Sequence, residues 1–218
     1  MKILLFFIFL FSTNTCQTTG QKARLTEPVS QHPLSISPLF EPKNFGEKLA
    51  EAAFSLTYNR VTYDPAYFKI SYPDGDVPAD RGVCTDVVIR AYRKLGIDLQ
   101  RLVHDDMQQN FALYPKIWGL RKTDTNIDHR RVPNLATFFT RFGKVKKLSQ
   151  NGNDFAPGDV VTWLLDGNLT HIGIVARQKS AEGGRPLIVH NIGSGQVLAD
   201  CLFSYNITGH FSFDDTYR

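Results

Sequence analysis

One cysteine lies where an irregular, polar stretch of the sequence changes to helical spacing. Cys84 follows Gly82 and precedes an amphipathic segment that ends near Gly96. At the start of a helix, unpaired backbone N–H groups and the helix dipole stabilise a thiolate and lower the pKa of the thiol. The position therefore predicts that Cys84 is a nucleophile. The alternative is a structural cysteine, either buried or in a disulfide with Cys201.

A thiol nucleophile needs a base, and two histidines downstream are candidates. His171 opens an apolar, β-branched segment, and His190 ends the next predicted strand. Since side chains on adjacent strands meet, His190 can fix the tautomer of His171 while the other ring nitrogen faces Cys84. The pattern predicts a triad of nucleophile, base and orienting residue, with Asn191 as the rival for the third place.

Further polar side chains are expected near the nucleophile. Asp86 follows the cysteine, and Asp128, His129 and Arg130 lie in a short loop between the predicted helices. An arginine can bind a carboxylate through two hydrogen bonds, so we expect this group to line a substrate cleft. The alternative is a solvated loop with local ion pairs. A metal held with the help of His104 is a further alternative, but the spacing is not that of metal ligands. We predict no metal and no cofactor.

The order of the predicted elements indicates the α+β class. Helical spacing and capping residues predict helices at 44–56, 84–96, 102–114 and 133–143. Alternating or continuous apolar runs between turn signals predict strands at 159–165, 170–176, 185–191 and 205–213. We therefore expect N-terminal helices, one of them beginning at the nucleophile, packed on a C-terminal antiparallel sheet.

The N-terminus has the pattern of a secretory signal. Lys2 precedes the apolar run 3–11, and small and polar residues follow as far as Gly20. The run is too short to span a bilayer, so we expect no transmembrane span in the mature protein. Residues 1–20 are predicted to be a signal peptide, which implies a periplasmic or secreted protein. A lipid anchor at Cys16 is an alternative.

The remainder of the chain is predicted to be one domain with an extended arm before it. Residues 21–43 are rich in Pro, Ser and Thr and lack periodicity, whereas 44–218 has the length and patterning of a single domain. The net charge of +4 comes from dispersed basic residues rather than from a cluster. We therefore expect no nucleic-acid partner, and a monomer.

Several motifs together resemble the NlpC-type papain-like cysteine peptidases and the related CHAP-type amidases. In chain order they are Tyr72-x-x-Gly75, Cys84, Pro157-Gly158-Asp159-Val160-Val161, His171-Ile172-Gly173-Ile174-Val175 and Ile188-Val189-His190. The resemblance implies a papain-like fold, a triad of Cys84, His171 and His190, and a Tyr72 hydroxyl that helps to hold the oxyanion. Cys84 is followed here by Thr85-Asp86, where those enzymes have Ser-Gly.

Longer motifs resemble the YijF-like family of exported bacterial proteins. They lie at 80–86, 118–120, 126–135 and 190–193, so the resemblance covers nearly the whole predicted mature chain. It is specific for membership of the family and implies no particular activity.

These observations predict an exported cysteine hydrolase that cleaves an amide bond. The expected substrate is the peptide stem of peptidoglycan, which is rich in carboxylates, cleaved by an endopeptidase or amidase reaction. A non-catalytic cell-wall binding module on the same fold is an alternative, because a fold does not determine chemistry. A secreted amidase-type toxin or effector is another.

Overall fold

The computed structural model describes residues 41–214. The predicted signal peptide, Cys16 and the predicted arm up to residue 40 lie outside the described residues. The described helices are α1 (Phe45–Leu56), α2 (Cys84–Arg93), α3 (Leu99–Asn110) and α4 (Val132–Phe142). The described strands are β1 (Thr62–Tyr63), β2 (Arg81–Gly82), β3 (Lys144–Val145), β4 (Val160–Leu164), β5 (Thr170–Lys179), β6 (Pro186–His190), β7 (Val197–Ala199) and β8 (Asn206–Ser212). Between residues 41 and 214, no helix is both long and apolar enough to cross a bilayer.

Six strands form one antiparallel sheet in the order β3-β8-β4-β5-β6-β7, and β1 and β2 form a separate parallel pair. Trp163 on β4 lies opposite His171 on β5, while Ile174 on β5 lies opposite Val189 on β6. The neighbouring strands β5 and β6 thus carry the two histidines of the predicted triad. Helices and an antiparallel sheet in one chain agree with the predicted mixture of α and β structure.

The first helix begins where the capping residues predict. The Asn44 side chain accepts a hydrogen bond from the backbone N–H of Glu47 at 2.9 Å. The Glu47 carboxylate in turn accepts one from the backbone N–H of Lys43 at 2.7 Å. These bonds satisfy backbone donors that a helix start leaves unpaired. Leu49 and Ala53 on the apolar face are fully buried.

The main apolar core lies between the helices and one face of the sheet. Tyr92 of α2 is fully buried in it, stacks on Phe139 of α4, and donates its hydroxyl hydrogen bond to the Phe213 carbonyl at 3.1 Å. Ile172 and Ile174 of β5 belong to the same cluster. The core therefore presses α2, the helix that begins at the predicted nucleophile, against β5.

A smaller apolar cluster covers the opposite face of the sheet, because alternate residues of a strand point to opposite sides. It is built around Trp163, with Ile188 and Leu202. The Trp163 indole N–H donates to the Leu202 carbonyl at 2.9 Å, which satisfies the polar atom of this buried ring.

The predicted boundaries are wrong at α3, and two edge strands were not predicted. The helix begins at Leu99, because Asp98 caps it by accepting from the Gln100 N–H at 2.9 Å. It ends at Asn110, before a single 3-10 turn. The edge strands β3 and β7 have two and three residues, too few to show an alternating pattern.

Gly158 shows how closely α1 packs on the sheet. Its φ is +86°, and a Cβ added there would overlap the backbone of Gly46. We expect Gly158→Ala to lower the free energy of unfolding by about 3 kcal/mol, since it adds a clash to an unfavourable backbone conformation. Gly167→Ala is the matched control, because its φ is +72° and no atom lies within 4 Å of the added Cβ. Urea denaturation showing equal losses for the two variants would contradict the close approach.

Candidate active site

The predicted nucleophile is the first residue of α2 and is almost buried, with 7% of its surface accessible. Burial raises the pKa of the Cys84 thiol to about 12. The backbone N–H groups of Ile172, Thr85 and Cys84 itself lower that pKa by hydrogen bonding to the sulfur, but burial outweighs them. The prediction that the helix start lowers the pKa of Cys84 overall is therefore wrong. The resting group is a neutral thiol.

Cys84 and Cys201 are both free thiols. The alternative that they form a disulfide is therefore contradicted. Cys201 instead lies beside His190.

The two predicted histidines contact each other directly. His171 Nε2 lies 2.8 Å from His190 Nδ1, and the rings meet edge to face. Burial, followed by the neighbouring His190, lowers the pKa of His171 to about 4. Burial also lowers the pKa of His190. Both rings are therefore neutral near pH 7, and the bond leaves His171 Nδ1 for another partner.

The sulfur of Cys84 lies beside the start of β5. The backbone amide that joins His171 to Ile172 is one of the donors to this sulfur. Within residues 41–214, the hydrogen bond of the His171 side chain goes to His190 and none joins it to Cys84. The His171 ring packs near Trp163, with a centroid distance of 5.9 Å. His171 thus lies on the face of β5 that carries Trp163, whereas Cys84 packs with Ile172 on the other face. A rearrangement at the start of β5 must therefore precede a direct bond between His171 and Cys84.

Asn191, the rival for the third place, has a different partner. It is fully buried, and its side-chain amide donates to the Gly82 carbonyl at 3.1 Å. Its side-chain oxygen accepts from the backbone N–H of Gly193 at 3.1 Å. Asn191 thus joins the end of β6 to the strand before Cys84, and His190 is the residue that contacts His171.

Asp86 and Arg130 form a buried ion pair below the nucleophile. Arg130 Nε and Nη2 donate to the two carboxylate oxygens of Asp86 at 2.9 Å and 3.0 Å, and the side chains are only 2% and 3% exposed. Asp86 also accepts from the Val83 N–H at 2.7 Å, and the Thr85 hydroxyl donates to the Arg130 carbonyl at 3.2 Å. Asp86 is held by Arg130 and does not line the cleft at Cys84, so the prediction that it binds substrate is wrong. Arg130 lines that cleft, as predicted, but two of its guanidinium nitrogens are bound to Asp86.

Asp128 and His129 are also internal rather than part of a cleft wall. Asp128 is 1% exposed and accepts from the backbone N–H of Asp124. His129 is 2% exposed, and burial, followed by the Arg130 charge, lowers its pKa to about 3. The prediction that both residues bind substrate is wrong, because both are buried. The Asp128 carboxylate turns inward and supports the loop backbone.

The tyrosine near the nucleophile is not the predicted one. The Tyr72 hydroxyl donates to Asp105 on α3 at 2.9 Å, and its ring packs on His104. Tyr63 on β1 instead lines the cleft at Cys84. Burial, followed by the nearby Cys84, raises the pKa of the Tyr63 hydroxyl. Nothing in the sequence spacing distinguishes Tyr63 from the other tyrosines of its segment.

Cys84 opens onto a cleft of about 220 Å³. One wall carries Trp118 and Arg131, whose guanidinium lies 4.2 Å from the centre of the indole ring. An aromatic face beside a cation suits a flat or apolar group that carries a carboxylate. The lining residues are Tyr63, Pro65, Val83, Cys84, Thr85, Trp118, Ile127, Arg130, Arg131, Val132, Pro133 and Thr170. Tyr63 and Trp118 were not among the predicted site residues.

A larger cavity, of about 760 Å³, lies where α1 and α2 end. Its cations Arg90 and Arg93 are last-turn residues of α2 and both approach Asp76. Neither Cys84 nor a histidine lines it. We place the candidate active site at the smaller cleft, because the predicted nucleophile lines it; His171 and His190 are not among its lining residues.

Acidic residues near the loop bind cations of the protein itself. Asp106 accepts from Arg141 Nε at 2.7 Å and from the Tyr114 hydroxyl at 2.7 Å. Among residues 41–214, no three His, Cys, Asp or Glu side chains are arranged to hold a metal ion.

The ion pair below Cys84 generates a prediction about stability. Arg130→Met should lower the free energy of unfolding by about 3–5 kcal/mol, because it leaves the Asp86 carboxylate buried without its partner. The matched control is Arg81→Met, whose partner Asp64 is near the surface and whose own side chain is 46% exposed. That variant should be close to the wild type in urea denaturation. A mild effect of Arg130→Met would show that the pair is not needed for folding.

The buried His129 generates a prediction about acid. Its pKa is about 3 in the folded protein, below the ordinary value, so the unfolded chain takes up the proton first as the pH falls. The stability due to neutral His129 is present above about pH 6.5 and is lost between about pH 6.5 and pH 3. The loss between pH 7 and pH 5 should be about 2 kcal/mol. His129→Gln should reduce the measured decline in unfolding free energy over that range, and an unchanged decline would argue against it.

Solved structures that resemble this chain include NlpC1 and NlpC2 from Trichomonas vaginalis. Each is 16% identical to it, with TM-scores of 0.43 and 0.41. They cover 79% and 80% of this chain, which spans only 45% and 49% of theirs.

Sequence relatives match more closely. "Uncharacterized protein YijF" of Escherichia coli (strain K12) is 50% identical over 165 residues, which are 76% of this chain and 80% of the relative. The family model described as "Domain of unknown function (DUF1287)" matches residues 50–213. The chain therefore belongs to the DUF1287 family.

Proposed function

We propose that this protein is a cysteine hydrolase of papain-like fold that cleaves an amide bond. Cys84 is the nucleophile, His171 the general base and His190 the residue that orients the base. The observation that carries the proposal is the 2.8 Å bond between His171 and His190, next to the amide that donates to the Cys84 sulfur. A nucleophile, a base and an orienting residue in this order form the minimal acyl-transfer site.

The reaction begins with a proton transfer inside a water-poor site. His171 reaches the sulfur through a rearrangement at the start of β5, since catalytic hydrogen bonds are often long in free enzymes and tighten in the complex. The Cys84 proton passes to His171 Nδ1 as the sulfur attacks the amide carbon. His171 returns that proton to the leaving amine, and a thioester remains. Water then attacks the thioester with His171 as base, which releases the acid and restores the thiol.

The negative oxygen of each tetrahedral intermediate needs donors. The N–H groups of Cys84 and Thr85 at the start of α2 are one source, and the Tyr63 hydroxyl on the cleft wall is another. Donors fixed before the reaction stabilise a developing charge without reorganisation. Tyr63 thus takes the role that the sequence analysis assigned to Tyr72.

The peptide stems of peptidoglycan fit this cleft as substrate. Arg131 supplies a cation that lies over the Trp118 ring and 3.6 Å from the Asp128 carboxylate, and stem peptides carry carboxylates next to the amide bonds. A periplasmic or secreted location, with the signal peptide removed, would bring the protein to that substrate. A monomer suffices for this chemistry, which needs no cofactor or metal.

Digestion of purified muropeptides, with products identified by mass, tests the reaction. Cys84→Ala and His171→Ala should each abolish turnover, because one removes the nucleophile and the other the base. His190→Ala should retain a reduced rate, since an orienting residue is less essential. Thermal melting must show that the variants are folded. Equal amounts of product from the wild type and from Cys84→Ala would refute the proposed hydrolase activity.

A binding module that uses the same cleft is the second candidate. The neutral thiol of Cys84 and the absence of its bond to His171 within residues 41–214 favour it. Co-sedimentation with purified sacculi distinguishes the two. The module predicts binding by the wild type and by Cys84→Ala alike, with no released product.

A further inference from the structure

A fourth side chain continues the histidine pair on the side away from Cys84. The sulfur of Cys201 lies 3.7 Å from His190 Nε2, and the other nitrogen of the same ring contacts His171. His171, His190 and Cys201 therefore form a line of three side chains, and the backbone amide next to His171 donates to the Cys84 sulfur. The proposed reaction has so far used Cys84, His171 and His190 but not Cys201.

Both neighbours of Cys201 in the chain are anchored. Asp200 accepts from Arg185 Nη2 at 2.6 Å, and the Leu202 carbonyl accepts from the Trp163 indole at 2.9 Å. Trp163 lies opposite His171 in the sheet. The backbone thus holds the Cys201 sulfur at His190 from both sides. Burial, followed by the Asp200 charge, raises the pKa of the Cys201 thiol to about 12, so it is uncharged near neutral pH.

The positions of the ring protons follow from the line of contacts. His171 can act as base at Nδ1 only if its own proton is on Nε2, which then donates to His190 Nδ1. The His190 proton must consequently be on Nε2, which faces the Cys201 sulfur. With the opposite order of donors, His171 Nδ1 already carries a proton and cannot accept one from Cys84.

We propose that Cys201 is a positioning residue whose sulfur accepts the His190 Nε2 hydrogen bond and so favours the tautomer in which His171 is a base. The inference rests on the proposed hydrolase function. Without this acceptor, neither of the two tautomeric arrangements of the histidine pair is favoured over the other. It also removes a partner from the positive charge that His171 gains and shares with His190 during the reaction.

The rate at which iodoacetamide alkylates Cys84, measured from pH 5 to pH 9, tests the inference without a substrate. Mass analysis of the peptides separates modification of Cys84 from that of Cys201. Cys201→Val keeps the approximate volume and removes the acceptor, whereas Cys201→Ser keeps an acceptor. We expect Cys201→Val to slow the alkylation of Cys84 about fivefold and to shift the midpoint of its pH profile. Cys201→Ser should recover most of the wild-type rate and profile.

Three results would overturn the inference. One is a Cys201→Val profile identical to that of the wild type, and another is a Cys201→Ser rate as slow as that of Cys201→Val, which would indicate packing alone. The third is slow alkylation of Cys84 in a Cys201→Val protein whose melting temperature is lowered, when Cys201→Ser has an equally low melting temperature. The slow rate would then reflect lost stability. His171→Ala in the same assay tests the proposed function separately. If Cys84 is alkylated equally fast in His171→Ala, the role of His171 as base is refuted, whatever the rates of the Cys201 variants.

Discussion

The buried pair of Asp86 and Arg130 holds together the parts from which the site is built. Its two hydrogen bonds, at 2.9 Å and 3.0 Å, connect the first turn of α2 to the loop before α4. A third guanidinium nitrogen, Arg130 Nη1, donates to the Ala66 carbonyl at 3.1 Å, in the segment that follows Tyr63. Arg130 thus joins the helix that begins at Cys84, the loop before α4 and the segment that follows Tyr63. Removal of either charge leaves the other in a place that water cannot reach.

Exclusion of water acts in opposite directions on the two kinds of reacting group. It raises the pKa of the Cys84 thiol and lowers that of His171, because in each case the uncharged form is favoured. The resting site therefore carries no separated charge on these groups. In the proposed reaction, a thiolate and an imidazolium form as His171 reaches the sulfur.

The sequence predicted those features that depend on local pattern. Apolar spacing located the helix at Cys84, and strand adjacency alone placed His190 next to His171, as the structure confirms. The failures at the site involve choices made by tertiary packing, whereas the start of α3 was missed although its cap, Asp98, is a local signal. Whether a loop arginine faces solvent, substrate or a buried aspartate is not encoded in the loop itself, and so the pairing of Arg130 with Asp86 was not predicted. Tyr72 and Tyr63 are equivalent in local pattern, and only the path of the chain brings one of them to the cleft.

The edges of the sheet are short, with two residues in β3 and three in β7. An extended segment of another chain would find few unpaired backbone groups at these edge strands, and Lys144 places a charge on one of them. Recruitment of a foreign strand is therefore disfavoured at both flanks. Two copies of the protein therefore gain few backbone hydrogen bonds by pairing their sheet edges, which disfavours edge-to-edge aggregation at high protein concentration.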